Sequence, residues 1–250
     1  MTNFIEHIIE PDTLLLVWQA PSSQGRTRRV VGQIKRSGSN VSLRYLSGSE
    51  EFSAAKEDGF QGFPAFKIGR ETHVNDVLEI FLKRLPPRSR SDFSRYLKNL
   101  RLQPDEEISD FALLGYSEAK LPGDGFSVLQ TFSDVSPPFE FLSEVAGFRY
   151  TDATLESINI GDEASFETEP DNEHDADAIK VIVSGKRIGY VNRVHAPHFA
   201  NWLENYRVAA EVERINGTED RPLVYLFVRV RDKESSEAIR RSEQLANSVL

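Results

Sequence analysis

The chain has 250 residues, no cysteine, 39% hydrophobic residues and a formal net charge of −9. The absence of cysteine excludes disulfides, thiolate zinc sites and cysteine nucleophiles, and it suits a reducing, cytoplasmic setting. The hydrophobic share supports packed cores, with chain enough for one large or two ordinary domains, while the acidic balance argues against sequence-blind coating of nucleic acid.

The opening MTNFIEHIIEPD lacks the basic start and apolar stretch of a signal peptide. No apolar run approaches the ~20 residues of a membrane helix, so no membrane partner is expected. Residues 13–18 then read as a strand followed by a Gly/Ser-rich turn, and residues 29–34 and 41–46 as a hairpin around Ser37-Gly38-Ser39-Asn40. From His73 to Leu85 the pattern turns helical, with Val77, Leu78, Phe81, Leu82 and Leu85 on one stripe that Pro86-Pro87 ends. A second helix is expected from an N-cap near Ser91, and a third over Ser109–Leu114 with a break at Gly115. Residues 133–144, with Pro137-Pro138 inside them, read as a linker.

Strand patterns return beyond the linker. Expected strands are Val145–Tyr150, Glu163–Glu169, Ala178–Val183, Arg187–Val191, Val208–Ile215 and Leu223–Val230. A helix over His195–Tyr206, with Pro197 near its start, interrupts them. Many short strands and one helix in under a hundred residues suggest a small, partly open barrel. Residues 233–250 read as a charged amphipathic helix or a frayed tail.

Three blocks stand in order here. Val145-Ala146-Gly147-Phe148-Arg149-Tyr150 is followed by Glu169-Pro170-Asp171-Asn172-Glu173-His174-Asp175-Ala176-Asp177-Ala178-Ile179-Lys180-Val181, and then by Lys186-Arg187-Ile188-Gly189-Tyr190-Val191-Asn192-Arg193. The order and spacing resemble the HIRAN domain family over about a third of the chain. The resemblance implies an OB-like, non-catalytic module whose best understood members hold the 3′ end of single-stranded DNA; no cofactor is expected, and no metal, since His195 and His198, three apart on the expected helix, lack a third ligand. It implies that Tyr150 stacks on a terminal base, since every base offers a π-face, and that Asp175 accepts a hydrogen bond from the terminal 3′-hydroxyl. Arg149, Lys180 and Arg193 would meet backbone phosphates, and Asn172, His174 and Tyr190 would complete the site.

This chain departs from the family pattern where His174 replaces an aromatic residue and Asp177 an asparagine. The segment 145–230 carries fifteen acids and nine bases, which weakens its attraction for phosphates. Asn172 and Asp175 equally suit caps of the turn before the next strand. The acidic block fails as a calcium loop, having Ala176 at its sixth position and Ile182 at its twelfth. Glu169, Asp171, Asp175 and Asp177, with Lys180, compose an alternative: a metal-dependent nuclease site.

In the first half, Gly62-Phe63-Pro64-Ala65-Phe66, the stretch Phe81–Arg88, and Phe111-Ala112-Leu113-Leu114-Gly115 resemble, more loosely, the N-terminal subdomain of HipA-type kinases. No P-loop, strand lysine with helix glutamate, or H-x-D-x-x-x-x-N loop accompanies them. The resemblance implies a platform for a protein partner.

The expected organisation is an α+β domain over 1–132, a linker over 133–144, a small OB/SH3-like β-barrel with one or two helices over 145–232, and a tail over 233–250. The expected function is that of a DNA-binding adaptor in repair or phage defence. Its partners would be single-stranded DNA or a DNA 3′ end, and a kinase-like toxin, helicase or nuclease. The alternative is a protein-interaction component of a toxin–antitoxin or phage-defence complex.

Overall fold

A computed structural model describes residues 3–21, 27–121, 123–133, 135–173, 175–218 and 221–233. The turn expected after residue 21, His174 and the tail beyond 233 lie outside the described residues. The chain forms two compact units, one of residues 9–134 and one of residues 1–8 with 135–250.

The first unit is built on an antiparallel sheet of order β4-β3-β2-β1-β5. Its strands are β1 (Thr13–Gln19), β2 (Arg28–Ser37), β3 (Asn40–Tyr45), β4 (Thr72–His73) and β5 (Phe126–Gln130). The β2–β3 hairpin closes at Ser37↔Asn40, as the Gly-Ser turn predicts. Helices α1 (Glu50–Glu57), α2 (Val77–Leu82), α3 (Phe93–Asn99) and α4 (Asp110–Tyr116) accompany the sheet. Alternation along β1 buries Leu14, Leu16 and Trp18 in one core with Phe52, Phe60 and Phe81. Within it the Tyr45 hydroxyl donates to the Phe66 carbonyl (2.7 Å) and accepts from the Phe63 amide (2.9 Å). Its polar end is thereby satisfied inside an aromatic core.

Gly115 does not break its helix. It sits within α4, where a β-carbon would lie 2.7 Å from Gln130 Cγ and 2.9 Å from Leu14 Cδ2. The glycine lets the helix lie directly on β1 and β5. Ser109 caps α4 by accepting from the Ala112 amide (3.0 Å), whereas α3 starts after Asp92 rather than Ser91.

The second unit is an antiparallel six-stranded sheet of order β6-β11-β10-β7-β8-β9. Its strands are β6 (Phe139–Glu144), β7 (Glu163–Thr168), β8 (Ile179–Val183), β9 (Lys186–Tyr190), β10 (Arg207–Thr218) and β11 (Arg221–Arg231). One face carries Phe139, Phe141, Val224, Leu226 and Val228, covered by helix α5 (Ala196–Asn205) through Phe199 and Trp202. The other face carries Glu140, Phe227, Arg229 and Glu211. Over it the N-terminal segment is fastened: Asn3 donates to Glu211 and Glu213 (2.7 Å to Glu213) and accepts from Arg229 (2.7 Å). The buried Glu140 carboxylate accepts from the backbone amides of Glu6 (3.1 Å) and His7 (2.9 Å) and pairs with Arg231.

Three expectations fail in this unit. Half of the expected linker is strand β6, whose Phe139 and Phe141 alternate with Glu140 onto opposite faces; Pro137-Pro138 marks only its start. The first eight residues belong with the C-terminal unit and not with the first domain. The expected strand Val145–Tyr150 is not one: Gly147 takes a left-handed conformation (φ 75°), and Phe148–Tyr150 form a 3-10 turn.

The strand order is open. The edge strand β9 meets the chain leaving β6 at one bridge, where Ala146 and Tyr190 exchange both backbone hydrogen bonds (2.8 Å each). Gly189 allows this approach, since a β-carbon there would lie 2.4 Å from the Ala146 carbonyl oxygen. Among the described residues no helix is long and apolar enough to cross a membrane.

Candidate nucleic-acid interface

The left-handed turn at Gly147 decides where the next three side chains go. Phe148 turns into the core at 4% exposure, while Tyr150 stands 72% exposed and Arg149 is exposed beside it. The Arg149 guanidinium lies over the Tyr150 ring, 4.4 Å from its centroid, and donates to the phenol oxygen. A cation over one ring face leaves the other available for a second flat group. This turn lies against β9 and β11.

On β9 and β8, Tyr190 sits directly opposite Lys180. Both side chains converge on Glu169, at the end of β7. Lys180 Nζ is 2.8 Å from Glu169 Oε1, and the Tyr190 hydroxyl donates to Glu169 Oε2 at 2.9 Å. Asn172 Nδ2 also donates to that oxygen (2.7 Å), and Arg187 Nη1 donates to the Tyr190 oxygen (2.6 Å). Lys180, Asn172 and Tyr190 together hold the Glu169 carboxyl down at about 2 from an ordinary 4.5. Glu169 in turn raises the Lys180 ammonium.

A carboxyl lowered in the folded state stabilises it above the unfolded value and loses that contribution as the pH falls from 4.5 towards 2. We expect carboxyl-carbon NMR to follow Glu169 with a midpoint near 2, and Lys180→Met to move that midpoint upward. A midpoint at the ordinary glutamate value in the unaltered protein would contradict the Lys180 pairing.

The loop between β7 and β8 is tied to itself. Asn172 Oδ1 accepts from the Asp175 amide (3.1 Å), and Asp175 Oδ1 accepts from the Asp177 amide (3.1 Å). The capping role open to both side chains is therefore present, and it presets the loop. The second oxygen, Asp175 Oδ2, faces Arg193 Nε at 3.7 Å.

The sequence-predicted residues thus fall into three groups. Arg149 and Tyr150 pair on the turn; Asn172, Lys180 and Tyr190 gather on Glu169; Asp175 and Arg193 face each other across the loop end. Arg187 is not among the residues expected here, and Glu169 is expected only as a metal ligand. Two of the four acids of that nuclease arrangement serve other partners: Glu169 binds the lysine, and Asp175 caps a turn. Among the described residues, the group of acidic and histidine ligand atoms lying within 4.8 Å of one another is Glu6, His7 and Glu140. There Arg231 already occupies the carboxylate.

Residues 138–232 match the family model of the HIRAN domain. The chain is similar in structure to the HIRAN domain of human HLTF, with 22% identity, 43% of this chain and 87% of that chain covered, and a TM-score of 0.31. The HLTF HIRAN domain in its DNA-bound conformation gives 22% identity over 43% of this chain and 86% of that chain, with a TM-score of 0.29. A protein from Lactobacillus plantarum gives 24% identity over 36% of this chain and 91% of that chain, with a TM-score of 0.32. No curated protein matches the chain.

Proposed function

We propose that the C-terminal unit binds single-stranded DNA and receives the last nucleotide of a 3′ end. The reading rests first on Tyr150, a large ring left 72% exposed by a turn that buries its neighbour Phe148. A base stacks on the free face of that ring. Arg149, Lys180, Arg187 and Arg193 supply the cations for nearby phosphates. The terminal 3′-hydroxyl donates to Asp175 Oδ2, the oxygen not used to cap the loop. The HIRAN family match supports the same role, with the sheet acting as a barrel-like module joined at Ala146 and Tyr190. The first unit, on its looser likeness to the HipA-type subdomain, meets a protein partner, and the whole is a non-catalytic, cytoplasmic adaptor.

Glu169 makes this a guarded site. A phosphate must compete with a carboxylate 2.8 Å from Lys180, so affinity is modest. Fluorescence anisotropy with strands ending in a 3′-hydroxyl or a 3′-phosphate tests the reading, alongside Asp175→Ala. The hydroxyl strand should bind at least about tenfold better, the lower bound for one hydrogen bond to a charged group, and the variant should erase that preference. Equal binding of both strands by the unaltered protein would remove end recognition.

A second reading has its own observation: fifteen acids against nine bases in residues 145–230. Under it the unit has lost DNA binding and serves only protein contacts in a toxin–antitoxin or defence complex. Failure of every strand to bind would favour it. Divalent-metal-dependent cleavage would instead restore the nuclease.

A further inference from the structure

Residues 83–101 carry seven of the chain's 30 Lys and Arg residues against one acid, Asp92, in a protein of net charge −9. Arg84 is turned inward, bound to Asp124 and to the carbonyls of Ala119 and Phe126. The other cations face outward. Lys83, Arg88, Arg90, Arg95 and Lys98 are exposed, and Arg101 is half-buried.

The segment is a short, braced scaffold. After Pro86-Pro87, turns close from the Arg90 amide to the Pro87 carbonyl (3.0 Å) and from the Phe93 amide to the Arg90 carbonyl (3.0 Å). Helix α3 then buries Phe93 and Leu97, which leaves Arg95 and Lys98 three apart on the outer side. Arg88 lies over the Phe93 ring (5.6 Å) and donates to Asp110. Arg90 grips Asp92 through Nε and Nη2, and Arg95 reaches the same carboxylate at 3.4 Å, so one acid serves two guanidiniums. Among the described residues no carboxylate pairs with Lys83 or Lys98. The exposed acids Asp105, Glu106 and Glu107 bound the patch on its C-terminal side.

We infer that this segment is a second nucleic-acid contact, a sequence-blind seat for the phosphodiester backbone of a DNA strand, distinct from the end-binding site. Two features favour a backbone over an acidic protein. Protein interfaces set their aromatic and arginine anchors in an apolar core from which lysine is depleted, and the exposed large hydrophobic residues (Val74, Leu121, Tyr150, Ile160, Leu223) include none between 83 and 101 to form one. The fork that Arg90 already presents to a carboxylate also fits two phosphate oxygens.

The test uses the full chain and a strand of about 30 nucleotides blocked by a 3′-phosphate, so that backbone contacts dominate. Arg95→Glu with Lys98→Glu should weaken binding about tenfold and reduce the slope of log affinity against log salt by about 1.4, two contacts' worth on a single strand. Lys83→Gln with Lys98→Gln, which removes charge without reversing it, should reduce the slope similarly and guards against misfolding. A short strand of about eight nucleotides with a free 3′-hydroxyl should bind both variants normally, whereas Tyr150→Ala should lose that strand and largely keep the long one. Unchanged affinity and slope for the long strand in both double variants would overturn the inference. So would retention of poly-glutamate in place of DNA, which would make the patch a protein contact. Loss of discrimination on the short strand alone would count against the end-binding reading only.

Discussion

Tyr150→Ala is expected to weaken binding of short single-stranded DNA by roughly 5- to 150-fold while leaving thermal stability unchanged. The first figure converts the stacking of one base on an aromatic ring, about 1–3 kcal/mol. The second follows from exposure: at 72% accessible, the ring contributes little to the core, and surface substitutions away from special features stay within about 0.5 kcal/mol. Tyr150→Phe separates the two things the residue offers. It keeps the ring and removes the hydroxyl that accepts from Arg149, so it should retain most of the affinity. Anisotropy titrations read the binding, and a melting curve of each variant reads the fold. Full affinity in Tyr150→Ala would show that no base rests on this ring.

Glu140→Ala is expected to destabilise the C-terminal unit by about 2–4 kcal/mol. The carboxylate is almost wholly buried and holds two elements far apart in the chain: Arg231 at the end of β11 and the amides of Glu6 and His7. Its removal takes the acceptor from two backbone amides and leaves Arg231 only the carbonyls of Phe139 and Val230, and losing the acceptor of a charged hydrogen bond costs about 1–3 kcal/mol before relaxation. Burial alone would raise the Glu140 carboxyl; the backbone amide of His7, then Arg231 and the His7 ring, outweigh it and lower it. The chain's two tryptophans divide between the units, Trp18 in the first and Trp202 in the second. In a Trp18→Phe background, Trp202 fluorescence therefore reports the second unit alone during urea unfolding. Glu140→Gln, which keeps an acceptor oxygen, should lose less than the alanine variant. An unaltered urea midpoint in Glu140→Ala would show that the carboxylate is not what fastens residues 3–8.

Local patterns carried most of the fold. The β2–β3 hairpin, the Ser109-capped α4, helix α5 and strands β7 to β11 follow from alternation, caps and turn residues that lie within a few positions of one another. What stayed hidden depended on distance or on irregular backbone. Strand β6 follows a proline pair that reads as loop, and its identity comes from pairing with β11 some ninety positions away. The attachment of residues 3–8 spans a still longer separation.

The candidate residues could be named from the sequence, but their arrangement could not. Counting back from the two-residue Ser184-Gly185 turn would pair Lys180 with Gly189. A register shift between Val181 and Ile182 places it opposite Tyr190 instead. That one-residue shift assembles the Glu169 network and draws in Arg187. Gly147 was equally silent, because a glycine inside an apparently alternating run does not announce the left-handed turn that aims Tyr150 outward.

The split make-up of the second unit bears on how the polypeptide matures on a ribosome. Asn3 to Ile8 leave the exit tunnel before a whole intervening domain, yet the seat of Glu6 and His7 on β6 is translated more than a hundred codons later, and that of Asn3 on β10 and β11 more than two hundred. Until then Ile5, which ends fully buried, waits in water on a tether whose far end is the already folding 9–134 region. A bulky tag or fusion placed ahead of Asn3 would burden this late docking.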